Sequence, residues 1–191
     1  MLLYLNSCVR ADSRTARLAD CLLSTIGAPV TELRLAEIDF PVVDAEYLRQ
    51  RDRQLEARNY DHPMFSLARQ FAAADEIVIA APYWDLSFPA ALKSYLEQIN
   101  VVGVTFRYTP EGVPEGLCRA KRLIYVTTAG GDFCPEEFGF GYVEALSKTF
   151  YGIPDVALIR ATGLDIVGAP TERILQDCER EIASRFQTIK T

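Results

Sequence analysis

Three short segments of this chain carry residue types that could bind and work on a small ligand. The first is Asn6-Ser7-Cys8-Val9-Arg10-Ala11-Asp12-Ser13-Arg14-Thr15. It gathers hydroxyls and guanidinium groups just ahead of an amphipathic run. A helix starting here would offer free backbone N–H groups and the positive end of its dipole, which suits a phosphate. Ser7, Ser13 and Thr15 could add donors, and Arg14 a charge. Neither G-x-G-x-x-G nor G-x-x-x-x-G-K-[ST] occurs in it, so the fingerprints for dinucleotides and nucleoside triphosphates are absent. Taken alone, the segment favours a plainer reading, with Ser13 as an ordinary helix cap.

The second segment runs from Pro82 to Phe88. Tyr83 and Trp84 could stack on or edge a flat conjugated ring, and Leu86 could add apolar contact. Backbone groups near Asp85 could meet the polar edge of such a ring. Trp84 and Phe88 could instead be core or dimer-interface residues, but the position of the loop at a strand's C-terminal end tilts the reading toward function. The third segment is Thr127-Thr128-Ala129-Gly130-Gly131-Asp132-Phe133. Paired glycines let a backbone come close to a ligand and aim N–H groups at it. That suits a ring edge on which negative charge develops during reduction. A Gly-Gly pair in isolation is as readily a tight turn.

The elements that must position these segments can be read from periodicity. Leu2-Leu3-Tyr4-Leu5 is a short apolar run and the first strand. Ser13 can cap a helix through Ala16, Leu18, Ala19, Leu22 and Leu23, which Gly27 stops. Val30 to Leu35 alternates, as a strand near a sheet edge does. Ala45 to Asn59 is dense in charge and reads as an exposed helix or a partly mobile excursion, its charges a solvated face. Met64, Leu67, Ala68 and Phe71 form an amphipathic helix. Ile77 to Ala81 is the third strand, and Pro82 ends it because proline has no N–H for a ladder. A helix from Pro89 to Ile99 follows. An alternating run, Val104 to Thr109, then leads into the turn residues Pro110 to Gly116, an inserted hairpin or lobe at about 103–116. Leu123 to Thr128 and Val156 to Ile159 are the fourth and fifth strands. Val143, Leu146, Ser147 and Phe150 mark the helix between them, and Thr171 opens a last helix through Phe186.

Strands alternating with helices predict one α/β domain over residues 1–191, with a five-stranded parallel sheet and helices on both faces. The three segments follow the first, third and fourth strands. With a strand order of 2-1-3-4-5, the first and third strands flank the switch point where ligands bind.

Composition narrows the function. A net charge of −6 gives no electrostatic footprint for nucleic acid. No apolar run is long enough for a membrane span. Met1 leads straight into an apparent strand, so no signal peptide is expected and a cytoplasmic protein is. The five cysteines form no C-x-x-C pair and the single histidine, His62, has no nearby cysteine, so no metal site is expected. The thiols are read as reduced and mostly buried. Hydrolysis through Ser7 or Cys8 is disfavoured, because there is no G-x-S-x-G and His62 lies in a separate, charged region.

At this point the residues resemble a known family. Ala80-Ala81-Pro82-Tyr83-Trp84-Asp85, Pro89-Ala90-Ala91-Leu92-Lys93-Ser94-Tyr95 and Gly103-Val104-Thr105-Phe106-Arg107-Tyr108-Thr109 look like FMN-dependent NADH-azoreductases, also described as NAD(P)H:quinone oxidoreductases. Glu115-Gly116-Leu117 and the Thr128-Ala129-Gly130-Gly131 turn fit the same pattern. The resemblance covers nearly the whole chain. It implies a flavodoxin-like three-layer fold, tightly bound FMN, and a homodimer with active sites at the interface. Ser7, Ser13, Arg14 and Thr15 would hold the FMN phosphate. Pro82, Tyr83, Trp84, Asp85 and Leu86 would line the isoalloxazine ring, and Thr128, Ala129, Gly130 and Gly131 its pyrimidine side. Phe106, Tyr108 and Phe133 would border the substrate pocket, with Phe106 and Tyr108 on a lobe facing the partner subunit's site.

The implied reaction is a two-step, ping-pong hydride transfer. NADH or NADPH reduces FMN, and a quinone, azo compound or similar flat acceptor then reoxidises it, with no side chain required as a general base. The alternative is a non-catalytic flavin-binding or flavodoxin-type electron-transfer protein. Three departures from the family pattern bear on this choice: Asp85 in place of Asn, Leu86 in place of an aromatic, and Ala129 in place of Arg. An ionised Asp85 beside the ring would oppose its reduced, negatively charged form and lower its potential. The lobe argues for the enzyme, since a small carrier has less need of an element that covers substrate.

Overall fold

The computed structural model describes residues 1–186. Five parallel strands form the central sheet: β1 (Leu2–Asn6), β2 (Val30–Arg34), β3 (Glu76–Ala80), β6 (Arg122–Thr128) and β7 (Asp155–Ala161). Their order is β2-β1-β3-β6-β7, which is 2-1-3-4-5 counted over the sheet alone. β1 is buried along its whole length, and β3 and β6 over most of theirs. This is why they read as continuous apolar runs: a parallel strand covered on both faces has no solvent side to alternate with. β2 alternates between exposed and half-buried positions, as its place on the sheet edge requires.

Successive strand residues point to opposite faces, and each face has its own core. Leu3, Leu5, Ile77, Ile79, Leu123 and Tyr125 pack with Phe71, Tyr95 and Tyr151. That side is covered by α3 (Ser66–Ala73), α4 (Ala90–Ile99) and α5 (Phe140–Leu146). Leu2, Tyr4, Val78, Ala80, Ile124 and Val126 pack with Leu18, Leu22, Leu175 and Ile182, carried by α1 (Arg14–Ile26) and α6 (Thr171–Phe186). Arg17 of α1 binds both Glu172 and Glu179 of α6, each at 2.7 Å.

The charged segment is a helix, α2 (Ala45–Glu56), with no buried residue. Asp44 caps it, its carboxylate accepting from the Tyr47 N–H at 2.8 Å. All five cysteines are free; Cys118 and Cys178 are buried and the other three half-buried, less burial than the sequence implied. Burial pushes the Cys118 thiol up to about 12 and the Cys178 thiol up to about 11.

The lobe is the expected hairpin, an antiparallel pair of β4 (Phe106–Tyr108) and β5 (Pro114–Gly116). Its second strand lies inside the run of turn residues. Arg107 pairs with Glu115 across it at 2.7 Å. The helix read through Phe150 instead stops at Leu146 and widens into a π turn, Ser147–Tyr151. Ser147 Oγ donates to the Val143 carbonyl at 2.7 Å, the back-bonding that bends helices. The hairpin sits on this turn at Gly116, where a Cβ would lie 2.2 Å from the Gly152 nitrogen.

Candidate active site

In register, Asn6 of β1 lies beside Ala80 of β3, Ala80 beside Val126 of β6, and Thr128 beside Ala161 of β7. The strands therefore end together, and the loops that follow them open on one edge. There they enclose a cleft of about 180 Å³. Arg10, Asp12, Ser13, Arg14 and Thr15 line it from the first loop and the start of α1, Pro82, Tyr83 and Trp84 from the second loop, and Thr128, Ala129 and Gly130 from the third. Asp165, from the loop between β7 and α6, completes it.

Ser13 is the cap of α1, its Oγ accepting from the Ala16 N–H at 3.2 Å. The N–H groups of Arg14 and Thr15, at the first two helical positions, have no carbonyl one turn back to bond. They remain for a ligand, together with the dipole of the helix. Ser7 lies at the base of the same loop, tied to β3 by its N–H to the Ala80 carbonyl at 2.9 Å. Its side chain is 1% exposed, and its Oγ has no hydrogen-bond partner. A buried hydroxyl left this way costs about 1–3 kcal/mol unless something bonds it.

Cross-links between the loops set the shape of the cleft. The hydroxyls of Thr15 and Thr128 share a hydrogen bond of 2.6 Å. The Tyr83 N–H donates to the Thr128 carbonyl at 3.0 Å. Leu164 and Asp165 donate their N–H groups to the carbonyls of Ala129 and Gly130, at 3.2 and 2.9 Å. Gly130 permits this close approach, since a Cβ there would lie 2.3 Å from Asp165 Oδ2.

Trp84 and Ser87 exchange backbone hydrogen bonds of 3.1 and 2.8 Å. Between them Asp85 and Leu86 both adopt positive φ, 50° and 65°. This is the two-residue hairpin turn that twists with its flanking chain. Asp tolerates that conformation, whereas Leu is rarely found in it. Neither Asp85 nor Leu86 is among the residues lining the cleft. Tyr83 is anchored through its hydroxyl to the Pro135 carbonyl at 3.1 Å.

Several other expected residues also lie outside the cleft lining. The Gly131 carbonyl accepts from the Gly163 N–H at 3.1 Å. Phe106 is buried in the hairpin, its ring centroid 4.7 Å from that of Phe150 and 5.5 Å from that of Tyr108. Tyr108 and Phe133 are exposed. None of these three is among the residues lining the cleft. Asp165 was missed altogether, although the strand order puts the loop after β7 beside the loop after β6.

No nucleophile is paired with a base here. His62 Nδ1 accepts from the Met64 N–H at 3.3 Å, capping a short turn. Burial raises the Cys8 thiol above its ordinary range, so it stays protonated at neutral pH. Among the described residues no group of acids, cysteines or histidine has the arrangement of a metal site.

A parallel sheet in this order, with a helix N-terminus and an aromatic wall at the switch point, defines a flavodoxin-type nucleotide-binding protein. The sequence profile described as "Flavodoxin-like fold" matches residues 1–186, and the chain belongs to that family. It is 35% identical over 186 residues to the FMN-dependent NADH:quinone oxidoreductase of Clostridium beijerinckii, with 91% of this chain and 92% of that one covered. The protein of the same description from Coprothermobacter proteolyticus is 33% identical, with 89% of each chain covered. Among solved structures, an azoreductase from Bacillus anthracis superposes with a TM-score of 0.84 at 23% identity, covering 96% of both chains. An FMN-dependent NADH-azoreductase from the same species, solved in complex with FMN, gives 0.79 at 24% identity over 98% of this chain and 99% of that one.

Proposed function

We propose that this protein is an FMN-dependent NADH:quinone oxidoreductase, able to reduce azo compounds and similar flat acceptors. The observation that carries this is the N-terminus of α1 opening into the cleft, with Arg10, Ser13, Arg14 and Thr15 lining one end and Tyr83 and Trp84 its wall. A phosphate ester would meet the free N–H groups there. The rest of the cleft fits the remainder of FMN: Pro82, Tyr83 and Trp84 offer a wall for a flat ring, and Gly130 a backbone without a side chain at its edge. FMN, when bound, supplies the hydride chemistry, taking hydride from NADH and passing it to the acceptor.

The protein's part is position, exclusion of water and electrostatics. Ser7, Ser13, Arg14 and Thr15 hold the phosphate. The Thr15–Thr128 and Tyr83–Thr128 links keep the wall and the floor of the cleft in one geometry. The backbone N–H groups of Gly130 and Gly131 would face the pyrimidine side, where they favour the negative charge of the reduced ring, while that of Ala129 is held by the Ala161 carbonyl at 3.0 Å.

Trp84 of the cleft lining is exposed, as are Phe133 and Phe138. We take this exposed aromatic surface to be covered in a homodimer, with Phe106 and Tyr108 of the hairpin closing the partner's substrate pocket. Such a site serves a soluble, cytoplasmic enzyme; among the described residues no helix is long and apolar enough to cross a membrane. The test is anaerobic. Protein reconstituted with FMN should bleach at its flavin absorbance maximum on addition of NADH and recover on addition of a quinone. No bleaching would sink the assignment.

A further inference from the structure

The cationic groups of the cleft are answered by anions from the protein itself. Arg10 and Arg14 line it, and so do Asp12 and Asp165. Arg14 Nη1 lies 2.7 Å from Asp165 Oδ1, and also donates to the Leu164 carbonyl at 3.3 Å. Asp165 reaches this point from 151 residues away in sequence. Its backbone is fixed by the bond from its N–H to the Gly130 carbonyl. Its other carboxylate oxygen rests where a Cβ of Gly130 would be. The carboxylate thus bridges the residue nearest the helix N-terminus and the glycine turn. It stands in the same cleft, and on the same guanidinium, that an anionic ligand would use.

We propose that Asp165 is a specificity-determining residue that competes with the phosphate of FMN for Arg14. The proposal rests on the assignment of the cleft to FMN. A phosphate monoester carries a charge of about −1.5 to −2 at neutral pH. Binding it means separating Arg14 from Asp165, or holding a like charge beside it. Both weaken the advantage of FMN over riboflavin, which has the same ring and no phosphate. The ring itself does not need Arg14. Asp165 therefore tunes phosphate recognition and leaves ring recognition alone.

The test measures dissociation constants for FMN and for riboflavin, by quenching of flavin fluorescence, on full-length protein stripped of flavin. Asp165→Asn keeps the shape and removes the charge. It should tighten FMN by about tenfold, the order expected for removing one like charge from a partly exposed site. Riboflavin should be unchanged. High salt should shrink the gain, as screening requires. Asp165→Ser, which cannot hold Arg14 at the same place, should move FMN affinity in the same direction. An unchanged FMN-to-riboflavin ratio in both variants would overturn the proposal. So would a loss of FMN affinity, which would make Asp165 a support for Arg14 instead of its competitor. Failure of the wild-type protein to bind FMN at all would refute the cofactor assignment, a separate result.

Discussion

Gly116 should be among the least replaceable residues of the hairpin that carries Phe106 and Tyr108. In Gly116→Ala the new methyl would lie 2.2 Å from the Gly152 nitrogen, 2.3 Å from the Tyr151 carbonyl carbon and 2.5 Å from the Gly152 Cα. All three are backbone atoms. They belong to a turn held by the bond from the Ile153 N–H to the Ser147 carbonyl at 2.9 Å, so they cannot rotate aside. The hairpin has to lift by about 1 Å to restore ordinary contact. Overpacking of this kind costs about 1–3 kcal/mol. Lifting also loosens the Phe106–Phe150 ring contact, whose geometry adds about 0.5–1.5 kcal/mol in such pairs. The backbone at Gly116 is not in the left-handed region. Alanine therefore gains about 0.4–1 kcal/mol from a less disordered unfolded chain. The balance is a loss of about 0.5–4 kcal/mol. Urea unfolding should show a lower midpoint with an unchanged m value, and Tm should fall by about 2–4 °C per kcal/mol for a chain of this size. Gly131→Ala is the control, because a Cβ there meets nothing within 4 Å. A Gly116→Ala protein as stable as the wild type would refute the packing of hairpin on π turn.

Two further perturbations test other parts of the molecule. Asp85→Asn should leave the flavin reduction potential unchanged and stabilise the turn slightly, since Asn accepts positive φ more readily; a shifted potential in redox titration would put the carboxylate beside the ring. Arg17 holds Glu172 down to about 2, below the ordinary 4.5. A depressed carboxylate adds stability above its unfolded pKa and loses it as pH falls toward the folded one. The deficit of Arg17→Met against wild type should be constant from about pH 5 to 7 and shrink below about pH 4.5. A deficit that does not change with pH in urea melts would deny the ion pair its role.

Much of this architecture was legible in the sequence because it depends on local physics. The buried strands declared themselves through Leu2 to Leu5, Ile77 to Ala81 and Leu123 to Thr128, apolar because both faces of the sheet are covered. Ser13 and Gly27 marked the ends of α1 through their own backbone chemistry. Strand order then determined which loops meet, and with it the placement of Ser13, Arg14, Thr15, Tyr83, Trp84, Thr128 and Gly130 in one cleft.

Tertiary structure decided what depends on distant partners. The ion pair of Arg14 with Asp165 joins residues 151 apart, and no periodicity encodes it. The resemblance puts Asp85 and Leu86 against a ring, and only the structure shows that the reciprocal bonds of Trp84 and Ser87 hold both in a left-handed turn. Phe106 stood in the sequence only as part of an alternating run, and its packing on Phe150, 44 residues on, is a contact no local pattern encodes. Local preference sets where elements begin and end. Which charge faces which, and which way a loop side chain points, is settled when separate elements close on one another and must share the same space.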